Sequence, residues 1–179
     1  MLKLSAIYHN RDILSLRTGH AIGHAYSPII NPDNLKIEGW YATEIGSRDS
    51  MVLPVREIRD LISKGLVVND QDSITHPDDL VRMKKIINLD YELIGKRIVT
   101  DRKKRVGKVQ DYSIDDQTMY IQKLYVNQSL FKGINKGQII IDRTQIIRIT
   151  SKDIVVKAPT EKLASRKRTP SRRSAAPAT

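Results

Sequence analysis

The chain has 179 residues, a formal net charge of +11 and no cysteine. Without cysteine there are no disulfides, thiolate nucleophiles or cysteine-type zinc sites, which suits a reducing, cytoplasmic setting. Aromatics make up only 5% of the residues, with one Trp and one Phe. An aliphatic, β-branched core that favours strands is therefore expected.

No run of about 18 apolar residues occurs, so no membrane-spanning helix is expected. The opening "MLKLSAIYHNRD" lacks the apolar stretch and small-residue cleavage site of a secretory signal. The positive balance favours polyanions: nucleic acid, ribosome or an anionic lipid surface.

From the N-terminus, the first informative feature is an internal repeat. "LSLRTGHAIGHAYSPIINPDNLKIEGWY" (14–41) aligns with "IVTDRKKRVGKVQDYSIDDQTMYIQKLY" (98–125) at a constant offset of 84. Gly23 falls on Gly107, Leu35 on Met119, Trp40 on Leu124 and Tyr41 on Tyr125. "VLPVREIRDLISKGLVV" (52–68) then matches "IIDRTQIIRITSKDIVV" (140–156) at an offset of 88, the extra four residues belonging to the loop "NQSLFKGINKGQ" (127–138). Each copy reads as short strands punctuated by turns, which predicts a small closed barrel without free edges. In "TMYIQKLYV" the alternation puts Met119, Ile121 and Lys123 on one face. It blurs at Leu124 to Val126, as at a bulge or a fully buried strand end.

Between the copies, "SITHPDDLVRMKKIINLDYELIG" (73–95) carries helix signals. Thr75 or His76 can cap, Pro77 suits the first helical position, and Asp78 and Asp79 complement the helix dipole. Leu80, Met83 and Ile87 recur at helical spacing, which predicts one helix of about three turns.

The last 22 residues, "APTEKLASRKRTPSRRSAAPAT", hold Lys162, Arg166, Lys167, Arg168, Arg172 and Arg173 against one acid, Glu161. With almost no bulky apolar residue, this stretch reads as a disordered basic tail.

Several groups could carry chemistry. His20 and His24 in "GHAIGH" are four apart, but the repeat places them on a hairpin, where that spacing spans about 13 Å. No third ligand is spaced to support them, so they read as turn and surface histidines. Asp115–Asp116 and Asp78–Asp79 fall at a turn and a helix start, where Asp is favoured without any catalytic role. "GINKGQ" lacks the G-K-[ST] ending of a phosphate loop. Trp40, Tyr41 and Tyr125 could stack on bases, although their place in the repeat makes a core role simpler. No catalytic, metal or cofactor constellation emerges, and the expectation is a non-enzyme.

"RKKRVGK" remains. Arg102, Lys103, Lys104, Arg105 and Lys108 occupy the repeat position held in the first copy by "GHAIGH", which is not basic. The fold therefore does not need the charge there. A solvated turn is the simpler account, because Lys and Arg are at ease on exposed tips. The functional account is a polyanion contact, reinforced by Arg166, Lys167, Arg168, Arg172 and Arg173 of the tail acting as a tethered second site. Such contact would be backbone-directed and salt-sensitive.

"GKRIVTDRKKRVGKVQDYSID" (95–115) and "GQIIIDRTQIIRITSKDIVV" (137–156) resemble the opening and closing strands of the PRC-barrel family. That family is named from the photosynthetic reaction-centre H subunit, and its barrel also forms the C-terminal half of the ribosome maturation factor RimM. The first copy is more divergent, with Arg11 at the place of Gly95.

The resemblance implies a mainly β protein of two tandem PRC-type barrels. Residues 1–72 would be barrel 1, 73–93 a linker helix, 94–157 barrel 2 and 158–179 a disordered basic tail. It also implies an adapter that binds a protein partner and makes polyanion contact. The alternatives it raises are a ribosome- or RNA-associated factor and a peripheral membrane or envelope protein.

Overall fold

Two glycines at equivalent places show how tightly the strands are packed. A Cβ on Gly23 would lie 2.6 Å from the carbonyl oxygen of Thr43, and one on Gly107 would lie 2.1 Å from that of Asn127. Each glycine lets the long second strand of its copy lie against the third. The computed structural model describes residues 1–128 and 138–157, so the loop 129–137 and the basic tail lie outside the described residues.

The first copy comprises β2 (Arg11–Ser15), β3 (Ala21–Asn31), β4 (Lys36–Glu44), β5 (Met51–Pro54), β6 (Ile58–Leu61) and β7 (Gly65–Val68). The second comprises β8 (Arg97–Thr100), β9 (Arg105–Asp115), β10 (Ile121–Gln128), β11 (Gln138–Asp142), β12 (Ile146–Ile149) and β13 (Asp153–Val156). The sheet orders are β5-β4-β3-β2-β7-β6 and β11-β10-β9-β8-β13-β12, the same order twice. Within each, only the β2–β7 and β8–β13 pairings are parallel. The protein is thus mainly β, in two similar sheets.

The repeat extends to the irregularities. Register breaks leave Tyr26 and Gln110 as extra residues on β3 and β9, and Glu38 and Gln122 as extra residues on β4 and β10. Bulges add local twist and bend a strand, so the same bulges coil both sheets alike. They also correct the simple alternation expected along "TMYIQKLYV": with Gln122 extra, Met119, Ile121, Leu124 and Val126 are the buried residues.

The constant offset of 84 needs a second correction. It holds over β3 and β4, but Ile13 pairs with Gly23 as Ile98 pairs with Gly107, an offset of 85 before the hairpin. The first hairpin loop is one residue longer. Asn10, not Arg11, therefore answers to Gly95, and both have left-handed backbone, with φ of 52° and 83°. Asn is among the few residues that adopt this region readily, so the apparent divergence disappears.

Closure by hydrogen bonding is not what the ladders do. Among the described residues β5 and β6 end one sheet and β11 and β12 the other, with no ladder between them. A 3-10 turn, Val55–Glu57 or Arg143–Gln145, carries the chain across each corner instead.

The expected three-turn helix is also broken. A 3-10 turn at Pro77–Asp79 is followed by α1 (Lys84–Leu89), only six residues long. Leu80 departs from helical geometry (φ −94°, ψ 64°), and the departure lets it pack with Ile29 and Val52. The apolar stripe was nonetheless correct, because Met83 and Ile87 join the same cluster. No helix among the described residues is long and apolar enough to cross a membrane.

The two sheets share one core. Ile13, Ile37, Trp40 and Leu53 belong to the same buried cluster as Ile98, Ile114, Leu124 and Ile154. At the seam Lys36 bridges Tyr120, its own repeat equivalent. Ile37 N–H donates to Met119 O and Ile121 N–H to Leu35 O, both at 2.9 Å. These reciprocal bonds are those of a local two-fold axis. A further strand, β1 (Leu2–Leu4), pairs with β9 of the second sheet, so the N-terminal stretch spans both units.

Candidate polyanion interface

The basic turn is held by its backbone and by the Thr100 and Asp101 side chains, without its cations. Thr100 N–H donates to Lys104 O (2.8 Å) and Lys103 N–H to Thr100 O (2.9 Å). Lys104 N–H donates to Thr100 Oγ1 (3.1 Å), and Arg102 N–H to Asp101 Oδ1 (3.0 Å). Lys103 has a left-handed backbone, φ 60°. Arg102, Lys103, Lys104, Arg105 and Lys108 are all exposed, and none forms an ion pair with another described residue.

The equivalent turn of the first copy uses Ser15 as the second uses Thr100: its Oγ accepts the N–H of Thr18 (3.3 Å). There Arg17 is paired with Asp70. The charges at residues 102–105 therefore play no part in building the turn.

The tail begins beside this turn. Asp101 N–H donates to Val156 O (3.1 Å), and Lys157 follows, also exposed. Arg166, Lys167, Arg168, Arg172 and Arg173 lie outside the described residues. On the adjoining strand Arg97 is committed elsewhere, to a two-pronged pair with Asp153 at 2.7 and 3.1 Å.

The other sequence candidates have structural employment. His24 Nδ1 sits 3.2 Å from Asp12 Oδ1, while His20 is exposed in the turn. No cluster of three metal-ligating side chains occurs among the described residues. Asp115 accepts the N–H groups of Gln117 and Thr118 and the Thr118 hydroxyl. The bond from the Thr118 backbone chiefly holds its carboxyl below the usual range. Asp116 binds the Met1 ammonium (2.7 Å) and Lys3 (3.1 Å), which lower its pKa in that order. Asp78 pairs with Lys84 at 3.1 Å.

Trp40 is fully buried and its indole N–H donates to Tyr8 O at 2.7 Å. It is a core residue, not a stacking platform. The hydroxyl of half-buried Tyr41 reaches Ile87 O at 3.4 Å.

One feature is not legible along the chain. A groove of about 190 Å³ lies at the seam, between Asp33–Leu35 of the first unit and Arg143 with β12 of the second. The available signal was the 88-residue offset, which sets Arg143 against Val55.

No curated protein matches the chain. Residues 87–163, which contain β8 to β13 and the end of the linker before them, match the PRC-barrel domain family.

Proposed function

We propose that the chain is a non-enzymatic docking protein built from two PRC-type barrels, the first a divergent copy outside the matched residues. It would serve as an adapter in the cytoplasm, binding a protein partner and steadying the complex by contact with a polyanion. The proposed organisation is barrel 1 at 1–72, linker at 73–93, barrel 2 at 94–157 and basic tail at 158–179.

The observation that carries the polyanion contact is the turn Arg102–Arg105, whose cations have no ion-pair partner among the described residues and no part in holding the turn. The tail root beside it supports a bipartite contact, in which a weak fixed site and a tethered one reinforce each other. Without interleaved aromatics the contact would follow the phosphate backbone and ignore base identity.

The test compares the full chain with a variant carrying Arg102→Gln, Lys103→Asn, Lys104→Gln and Arg105→Gln. Asn at 103 respects the left-handed backbone. Binding to a mixed-sequence single-stranded RNA is followed against salt. The logarithmic salt slope should fall by about 0.7 for each phosphate that the variant no longer neutralises. An unchanged slope sinks the reading. If vesicles with anionic headgroups bind and RNA does not, the site is a membrane-surface contact instead.

A further inference from the structure

We propose that the seam groove binds the carboxylate of an acidic segment of a partner protein, with Arg143 as its principal ligand. The inference rests on the docking reading and names the chemistry of the docked partner.

Arg143 sits on a rigid corner. Gln145 Oε1 accepts the N–H of Asp142 (2.8 Å), and Asp142 Oδ1 accepts the N–H of Thr144 (3.0 Å), closing a capping box around it. Its guanidinium lies 4.5 Å over the ring of Tyr120, which Lys36 Nζ also approaches at 5.8 Å. A contact with the face of Tyr120 consumes none of the guanidinium's N–H donors. Nη1 is buried and has no hydrogen-bond partner among the described residues. A buried donor on a charged group carries a desolvation cost that a partner would remove.

The first unit shows what the fold needs at this corner. Val55 stands where the second unit has Arg143, on the equivalent 3-10 turn. Arg59 and Asp60 stand where it has Ile147 and Arg148. The corner is thus built once with an apolar residue and once with a cation that has no ion pair among the described residues. In the second unit an acid is replaced by Arg148, and exposed Ile147 supplies an apolar rim. Neither Arg143 nor Arg148 has an ion pair among the described residues.

Size and charge choose the ligand. About 190 Å³ equals roughly six water volumes. That is below the roughly 300 Å³ at which cofactor pockets begin, and it suits one side chain. A guanidinium fork matches a planar carboxylate in two-pronged fashion. Asp33, also in the groove wall, opposes a dianion more than a monoanion, which favours carboxylate over phosphate. An aliphatic neighbour of the bound acid would lie against Leu35, Ile146 and Ile147.

The probe is a fluorescein-labelled peptide of alternating Glu and Leu, with the Glu→Gln peptide as control. Each is titrated by anisotropy into the full chain, Arg143→Val, Arg143→Lys and the neutralised-turn variant. The Glu peptide should bind at least tenfold more tightly than the Gln peptide. Arg143→Val, the residue the first unit uses, should abolish that difference, and Arg143→Lys should restore only part of it. The neutralised turn should leave it intact.

Equal binding of the two peptides, an unchanged Arg143→Val, or an equal loss in the turn variant each overturns the proposal. Thermal unfolding of each variant checks that it folds. Should Arg143→Val not fold, the Arg143 Nε–Hε resonance of the unmodified chain must shift with the Glu peptide and stay with the Gln peptide; no shift overturns the site. RNA capture on the same variants separates the readings. Equal binding of the two peptides by the unmodified chain, with its salt-sensitive RNA binding intact, overturns the groove alone, and the converse overturns the polyanion contact alone.

Discussion

At the scale of single residues, backbone demands explain more than side-chain chemistry. Leu35 and Met119 are equivalent, buried and left-handed, with φ of 52° and 58°. For such residues this conformation costs on the order of 1–2 kcal/mol each. Burial and the reciprocal seam hydrogen bonds offset that cost. Gly107 is constrained differently, by the approach of Asn127 O. Gly107→Ala should destabilise the protein by more than about 2 kcal/mol, since the obstructing atom is backbone and cannot rotate away. Urea unfolding measures this, and a change under about 0.5 kcal/mol would mean the strands part easily.

Asp116 makes a prediction in pH. The Met1 ammonium and then Lys3 hold its carboxyl below the ordinary range. A carboxylate with a depressed folded pKa contributes stability above its ordinary value and loses it as pH falls through the lowered one. Amide exchange in Leu2–Leu4 should therefore accelerate below about pH 4 relative to the rest of the chain. Asp116→Asn should show the faster exchange at neutral pH and no acid-linked change. Identical profiles in the two proteins would detach β1 from this ion pair.

At the scale of elements, the linker shows packing overriding local preference. Capping residues and an apolar stripe predicted a continuous helix, yet Leu80 leaves helical geometry to bury itself against Ile29 and Val52. The preceding segment also binds the sheet edge: Val52 and Thr75 exchange two hydrogen bonds of 2.9 Å. In the second unit the residue equivalent to Val52 is Ile140, which is 53% exposed. The linker thus covers the edge of the first sheet at β5. Leu80→Ala should cost about 2–3 kcal/mol, read by urea unfolding, and should speed amide exchange at Val52 ahead of global unfolding. Unchanged exchange at Val52 would show that the edge is protected without the linker.

At the scale of the whole molecule, one core spans both sheets, and β1 fastens the start of the first unit to the second. Such a core should unfold as a unit. Trp40 fluorescence, which reports the first unit, and amide exchange in β9 and β13, which reports the second, should give coincident urea midpoints. Midpoints separated by more than about 0.5 M would mean that the seam does not couple the two. The cations are distributed differently, with residues 102–105 and the start of the tail at one end of the second unit. Function at the turn should therefore respond to salt while stability hardly does, because those side chains take part in no folded-state ion pair among the described residues.

The sequence by itself determined the strands, the repeat, the 88-residue offset over the closing strands and the core role of Trp40. Each of these is local: apolar period, turn residues and side-chain size act over a few neighbours. It also placed the basic turn, because exposed charge with no structural duty can be read from a repeat in which one copy lacks it. Only the tertiary structure decided the one-residue slip that sets Asn10 against Gly95, the break at Leu80, the crossing of β1 to the other sheet and the groove at Arg143. These depend on residues far apart in the chain meeting at a seam, where burial and backbone pairing outweigh local propensity. A pattern read along one chain holds no information about which of its faces will meet.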